Sequence, residues 1–258
     1  MQQHDVVTEQ FGKTAHAYLS SAMFAQGADL VLLQECARRH GKQGKPKVLD
    51  LGCGTGHASF AVAPVAASVV AYDLAQPMLD EVEHAKAQRG LHNISTQQGD
   101  VTRLPFADAS FDMLVTRFCA HHWSDVAGAL AEAWRVLRPN GTLLVIDSVA
   151  PKTALYDNTL QAVEMLRDAS HVRHYRTCEW GAMFDNAGFT HSLRSVWKLP
   201  VQFDAWMARM RTPAERVAAI RKLFDGAPEE ARRYFALQDD YSFSIDAAMF
   251  EATKPSVQ

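Results

Sequence analysis

Three alternating glycines close an apolar run at Val48-Leu49-Asp50-Leu51-Gly52-Cys53-Gly54-Thr55-Gly56-His57. Glycine lets the backbone turn sharply and approach a ligand closely, and the helix that follows offers unpaired N–H groups at the positive end of its dipole. A second apolar run ends in Ala71-Tyr72-Asp73. A carboxylate at that place, about twenty residues after the loop, can accept hydrogen bonds from both hydroxyls of a ribose. The dinucleotide fingerprint G-x-G-x-x-G requires glycine at position 57, where His57 stands. The spacing here is G-x-G-x-G (Gly52, Gly54, Gly56), with Asp50 inside the strand. It suits a nucleoside whose amino-acid end, rather than a pyrophosphate, lies over the loop, which puts S-adenosylmethionine ahead of a nicotinamide cofactor.

The rest of the chain alternates in the same way. Strands are expected at Lys47–Leu51, Ser68–Tyr72, Ile94–Gln98, Phe111–Thr116 and Thr142–Asp147, with helices near Ala58–Val65, Met78–Arg89 and Val126–Val136. Such alternation calls for a parallel sheet with helices on both faces, an α/β fold of Rossmann-like type. Pro139-Asn140-Gly141 reads as a turn before the fifth strand. Beyond Asp147 we expect helices at Leu155–Arg167 and Glu179–Ala187, the latter stopped by Gly188, then strands near Thr190–Val196 and Phe243–Phe250. Between those strands, Phe203 to Leu237 reads as a helical excursion. At the other end, Phe11, Ala15, Tyr18 and Leu19, then Met23, Leu30, Leu33 and Cys36, recur at helical spacing until Gly41–Pro46 breaks the pattern. One domain is expected: an N-terminal helical lid over 1–45, a cofactor-binding core over 46–150, and a C-terminal half over 151–258 with a helical cap at about 203–238.

Composition narrows the function. A net charge of −3 offers no basic surface for a phosphate backbone, so no nucleic-acid partner is expected. No apolar run approaches a membrane span. The N-terminus lacks a basic cluster followed by an apolar stretch, and Cys36, Cys53, Cys119 and Cys178 are scattered without a C-x-x-C pair. They read as reduced thiols of a cytoplasmic protein.

Taken together, VLDLGCGTG (48–56), AYDLAQPML (71–79), QGDVTRLPFADASFD (98–112), RFCAHHWSDV and EAWRVLRPNGTLLVID (117–147) resemble the class I S-adenosylmethionine-dependent methyltransferases. Within them the resemblance is to the methyltransferase-11 group, which includes UbiE-type quinone methyltransferases. AHHW and the later RDASHVR are similar to the bacterial YcgJ/YafE-type subgroup. The resemblance implies a seven-stranded sheet, mostly parallel, with its last strand antiparallel. It also implies that Asp73 binds the ribose diol, that Leu74 and Met78 lie against the adenine, and that Asp100 accepts from the adenine amine beside the Val101 backbone. The backbone around Arg117 would hold the methionine end, and Phe11 and Tyr18 would fold over the cofactor.

The acceptor belongs after the fourth strand, where the chain reads Arg117-Phe118-Cys119-Ala120-His121-His122-Trp123. His122, or else His121, is a general-base candidate toward a hydroxyl or an acidic carbon; packing is the competing role for either. No His, Cys, Asp or Glu set shows metal-ligand spacing, and adjacent His121 and His122 cannot easily aim both rings at one ion, so no metal is expected. Arg167 or Arg173 could hold an anionic acceptor or merely tie a loop by ion pairs. Aromatic and Met residues of the excursion (Phe203, Trp206, Met207, Met210, Phe224, Tyr234, Phe235) could line a pocket or form core. The reading that results is a methyltransferase acting on a small molecule, lipophilic or aromatic. An RNA or protein methyltransferase and a non-catalytic protein binding S-adenosylmethionine or S-adenosylhomocysteine remain the alternatives, and the oligomeric state is open.

Overall fold

The alternating apolar runs assemble, in the computed structural model, into a seven-stranded sheet of order β3-β2-β1-β4-β5-β7-β6. The structure describes residues 2–12, 14–19, 25, 27–40 and 44–256. Met23 and Gly41–Gln43, named above for the helical face and its break, lie outside the described residues.

The strands are β1 (Lys47–Leu51), β2 (Ser68–Asp73), β3 (Ile94–Gln98), β4 (Phe111–Arg117), β5 (Leu137–Val149), β6 (Thr190–Val201) and β7 (Phe243–Thr253). β1 pairs parallel with β2 and β4, β2 with β3, and β4 with β5, while β7 runs antiparallel between β5 and β6. The last strand is therefore the antiparallel one, as the family resemblance implies. Pro139-Asn140-Gly141 falls within the span of β5, but there the pairing with β4 jumps from Leu137 opposite Phe111 to Thr142 opposite Met113, and Asn140 takes a φ of 64°. The expected turn is thus an excursion out of the ladder that does not end the strand.

Helices on both faces follow from the two-residue alternation of strand side chains. Leu49, Leu51, Leu114, Leu143 and Val145 face one core with α6 (Val126–Val136) and α8 (Thr177–Asn186). Val48, Met113, Val115, Leu144 and Ile146 face the other with α3 (Ala28–His40), α4 (His57–Val62) and α5 (Gln76–Gln88). Leu49 and Leu114 are 0% exposed, each worth about 1.5–3 kcal/mol of apolar burial. α8 ends at Gly188, whose φ of 85° supplies the left-handed turn a helix stop requires.

The excursion between β6 and β7 resolves into α9 (Phe203–Met210), α10 (Ala214–Asp225) and α11 (Glu229–Tyr234), with α10 and α11 packed on α7 (Ala154–Arg167). Its aromatic and Met residues pack with one another: Phe203, Trp206, Met207, Phe224 and Phe235 are buried with Leu160, Val163 and Phe243 in a core of their own. They form core, not a pocket wall. At the other end, α1 (Gln3–Gly12) and α2 (Ala15–Leu19) lie against α5. Among the described residues no helix is long and apolar enough to cross a membrane.

Candidate active site

Strand order reverses at β1, whose neighbours β2 and β4 lead the chain to opposite sides, and a ligand crevice opens at the carboxyl ends of strands at such a point. A cleft of about 1050 Å³, counted out to the solvent, opens there. It is lined by Tyr18, Asp50, Gly52, Gly54, Asp73, Leu74, Met78, Asp100, Val101, Arg117 and His122. Gly56 and His121, also singled out from sequence, are not among the lining residues. A Cβ on Gly56 would come within 2.9 Å of Phe60 and 3.0 Å of Val82, so its absent side chain serves helix packing.

The loop is held from beneath. The Tyr72 carbonyl accepts from Gly52 N at 2.8 Å and from Cys53 N at 3.0 Å. Gly52 and Gly54 take φ of 66° and 52°, in the left-handed region that side chains rarely adopt. They differ in what surrounds them. A Cβ on Gly52 would collide with Cys119, whereas one on Gly54 would meet nothing within 4 Å. That open floor is a cradle for a ligand, and it fits the amino-acid end of S-adenosylmethionine.

Asp73 ties the loop to the second strand, its Oδ2 accepting from Gly54 N at 2.8 Å and its Oδ1 from Ala75 N at 2.9 Å. Burial raises its pKa, and the Ala75 and Gly54 N–H groups oppose that rise. Each oxygen keeps a second lone pair for a ribose hydroxyl. Asp50 accepts from Ser59 Oγ at 2.6 Å, while its Oδ1 is buried with no partner among the described residues. Burial pushes its pKa up to about 7. A buried acceptor without a donor matches a cationic ligand such as an ammonium or sulfonium, the second mark of fit to this cofactor. Arg117 pairs with Asp29, its charge also acts on Asp50 and His57, and Phe118, next in the chain, takes a φ of 50°.

The N-terminal helix roofs the cleft. His4, Val7 and Phe11, at helical spacing, all line it, and His57 Nε2 lies 3.2 Å from the Tyr18 carbonyl. His4 Nε2 lies 3.3 Å from Asp100 Oδ2, the carboxylate expected to meet the adenine amine. Phe11 stands edge-on to His122 with ring centroids 4.9 Å apart. Sequence reading placed Phe11 and Tyr18 here and missed His4 and Val7, although the 4-7-11 spacing was available to find them.

The two adjacent histidines have different partners. His121 Nδ1 is 2.6 Å from Asp147 Oδ1, and the Asp147 carboxylate outweighs burial to raise its pKa. His122 Nδ1 lies 3.1 Å from the Ser170 carbonyl and 3.2 Å from Ser170 Oγ. The Ser170 hydroxyl proton is already given to Asp168 Oδ1 at 2.6 Å, so both Ser170 oxygens act as acceptors toward the ring. Nδ1 of His122 must therefore carry the hydrogen, which leaves Nε2 as a bare lone pair. Burial, then the neighbouring His121, lower the His122 pKa to about 4.

Arg167 pairs with Glu164 at 3.1 Å and lies over the Trp206 ring, and Arg173 reaches Asp157 at 3.5 Å and Glu179 at 3.6 Å. The Arg167 guanidinium joins α7 to α9, that of Arg173 ties the loop to α7 and α8, and neither residue lines the cleft. Spacing along the chain marks no metal-ligand set, and proximity in the fold is a separate matter. The fold brings His121, Asp147 and His174 together, and likewise Glu164, His171 and His174, with one ligand atom of each within 4.8 Å of the others. His122 belongs to neither trio, in keeping with the argument that adjacent rings do not share an ion.

The methyltransferase domain family matches residues 49–145. The uncharacterized protein YafE of Escherichia coli strain K12 is 45% identical over 203 residues, spanning 79% of this chain and 98% of YafE. The uncharacterized methyltransferase YcgJ of Bacillus subtilis strain 168 is 34% identical over 252 residues, spanning 95% of this chain and 97% of YcgJ. The crystal structure of YcgJ superposes with a TM-score of 0.82, covering 88% of this chain and 98% of that one. A demethylmenaquinone methyltransferase of Deinococcus radiodurans is 31% identical over 153 residues, 58% of this chain and 63% of that protein.

Proposed function

For this chain, which belongs to the class I S-adenosylmethionine-dependent methyltransferases, we propose that the acceptor is a small, largely apolar molecule methylated at a hydroxyl or acidic carbon, with His122 as the general base. The bare Nε2 of His122 at the wall of the cleft carries this reading. Phe11 and Trp123 beside it give that end an apolar lining, suited to an aromatic or lipophilic body. The demethylmenaquinone methyltransferase relative points the same way. The net charge of −3 offers nothing to a nucleic acid.

Bound S-adenosylmethionine supplies an electrophilic methyl group and a positive charge. Gly52 and Gly54 would floor its methionine end, Asp50 would face its cationic groups, Asp73 would take the ribose diol, and Leu74 and Met78 would flank the adenine near Asp100 and Val101. Tyr18 closes the cofactor side, and the backbone around Arg117 borders the methionine end. The chain's own task is then alignment, exclusion of water under α1, and removal of one proton. His122, held through Nδ1 by Ser170, takes that proton on Nε2. Its low pKa does not forbid this: the imidazolium appears as the donor loses its own positive charge, so the total charge in the cleft is unchanged. A weak base of this kind selects acidic protons, those of phenols, hydroquinones and 1,3-dicarbonyls.

The test is S-adenosylhomocysteine release with a panel of such acceptors, set beside RNA and protein substrates. Turnover on the small molecules is expected, with kcat down at least a hundredfold in His122→Gln and the donor KM unchanged. Methylation of RNA or protein alone, or equal turnover in His122→Gln, would defeat the proposal.

A further inference from the structure

Behind the cleft, the loop after α7 buries two imidazoles whose hydrogen-bond partners fix their tautomers. Gln161 is oriented by four contacts. Its Nε2 donates to the His174 carbonyl at 2.8 Å and to Asp157 Oδ1 at 3.0 Å. Its Oε1 accepts from His174 N at 3.2 Å and lies 3.1 Å from His171 Nε2. An amide so placed cannot flip, so His171 must donate from Nε2 and keep a lone pair on Nδ1. His174 Nε2 lies 3.4 Å from Glu164 Oε1, and a carboxylate oxygen only accepts, so the His174 hydrogen sits on Nε2 as well. Its Nδ1 is again a bare lone pair. Both Nδ1 atoms are buried with no partner among the described residues, in side chains at least nine-tenths buried.

His171 thus offers a buried lone pair without a donor, and His174 can turn Nε2, the nitrogen beside Glu164, into a second one by moving its hydrogen to the unused Nδ1. We propose that Glu164, His171 and His174 bind a divalent transition-metal ion of the zinc class. One ligand atom from each already lies within 4.8 Å of the others, so closing on an ion at about 2.0–2.2 Å from each ligand needs only small side-chain movements. Two imidazoles and one carboxylate form a donor set of the kind that suits zinc and neighbouring divalent ions. The outer contacts are those a metal site requires. Gln161 holds the far nitrogen of His171, and Arg167 holds Glu164 through Oε2 at 3.1 Å, leaving Oε1 turned toward the histidines. The ion would brace the loop that carries Ser170, and so bear on His122 without touching substrate. This inference does not rest on His122 being a base.

The test reads metal, not turnover. The tag-free chain is analysed by inductively coupled plasma mass spectrometry as purified. It is then stripped with a chelator, checked by circular dichroism, and titrated with Zn2+ in chelator competition and with Co2+ by visible absorption. About one equivalent is expected, with submicromolar zinc affinity, a cobalt d–d band and a raised Tm. His171→Gln should weaken zinc at least thirtyfold, and exposed His92→Gln should leave it unchanged. If a cluster variant fails to fold, the wild-type stoichiometry and cobalt spectrum decide. The proposal is overturned by a folded chain that takes up neither ion at 100 μM (on the order of −5 kcal/mol of binding), or by binding that folded His171→Gln leaves intact.

Discussion

Replacing Gly54 by alanine separates a loop that cradles a ligand from a loop that merely turns. At a φ of 52° an alanine costs about 1–2 kcal/mol of backbone strain. A chain of 258 residues has an unfolding entropy on the order of 540 cal/mol/K, so that strain lowers Tm by about 2–4 °C. Among the described residues nothing beyond its chain neighbours lies within 4 Å to resist the new methyl group. A bound cofactor would resist it. Forcing a methyl into an occupied interface costs about 1–3 kcal/mol, or roughly thirtyfold in affinity at the midpoint. Gly52→Ala is the contrast: the same strain plus a collision with Cys119 predicts a loss of about 2–5 kcal/mol and a Tm lower by about 4–9 °C. Scanning fluorimetry gives the two Tm values, and calorimetric titration with S-adenosylhomocysteine gives the affinities. A Gly54→Ala protein that binds within threefold of wild type would show that the methionine end does not rest on this loop.

Two further outcomes follow from the carboxylates. Asp50 has its folded pKa raised to about 7 from 3.8 by burial, so between pH 4 and 7 the folded chain holds a proton that the unfolded chain has released. Its contribution to stability therefore falls as pH rises through that window, and the Tm advantage of Asp50→Asn over wild type should widen from pH 5 to pH 8; a constant difference would refute the assignment. Asp73→Ala removes the acceptor for two backbone donors and for the ribose, so S-adenosylhomocysteine affinity should drop about ten- to a hundredfold by calorimetry, with a lower Tm. Unchanged affinity would mean that Asp73 only pins the loop.

The strands were legible because each is an apolar run bounded by polar or turn residues, and β7 differs from the parallel strands in no local way. Its direction came from family resemblance. Pro139-Asn140-Gly141 marked where the chain leaves the ladder with β4, but not that β5 already begins at Leu137, because only pairing with the neighbouring strand shows that. All the residues named for the cofactor and the base except Gly56 and the alternative base His121 meet in one cleft, since glycines and acids at strand ends owe their position to the strand itself. Gly56 looked equivalent to Gly52 and Gly54, and only its contact with Phe60 and Val82 shows otherwise. The Glu164, His171 and His174 cluster left no mark in spacing. Glu164 comes from the last turn of α7 and the histidines from the loop beyond, and their juxtaposition is a tertiary fact.

α1 reaches both halves of the cleft, with His4 on Asp100 at the end proposed for the adenine and Phe11 on His122 at the end proposed for the acceptor. The same ten-residue helix thus stands over two doorways. Should α1 swing to release a ligand, spent donor and methylated product would share one clock, and pinning the helix down would slow both departures together while leaving the bond-making step alone.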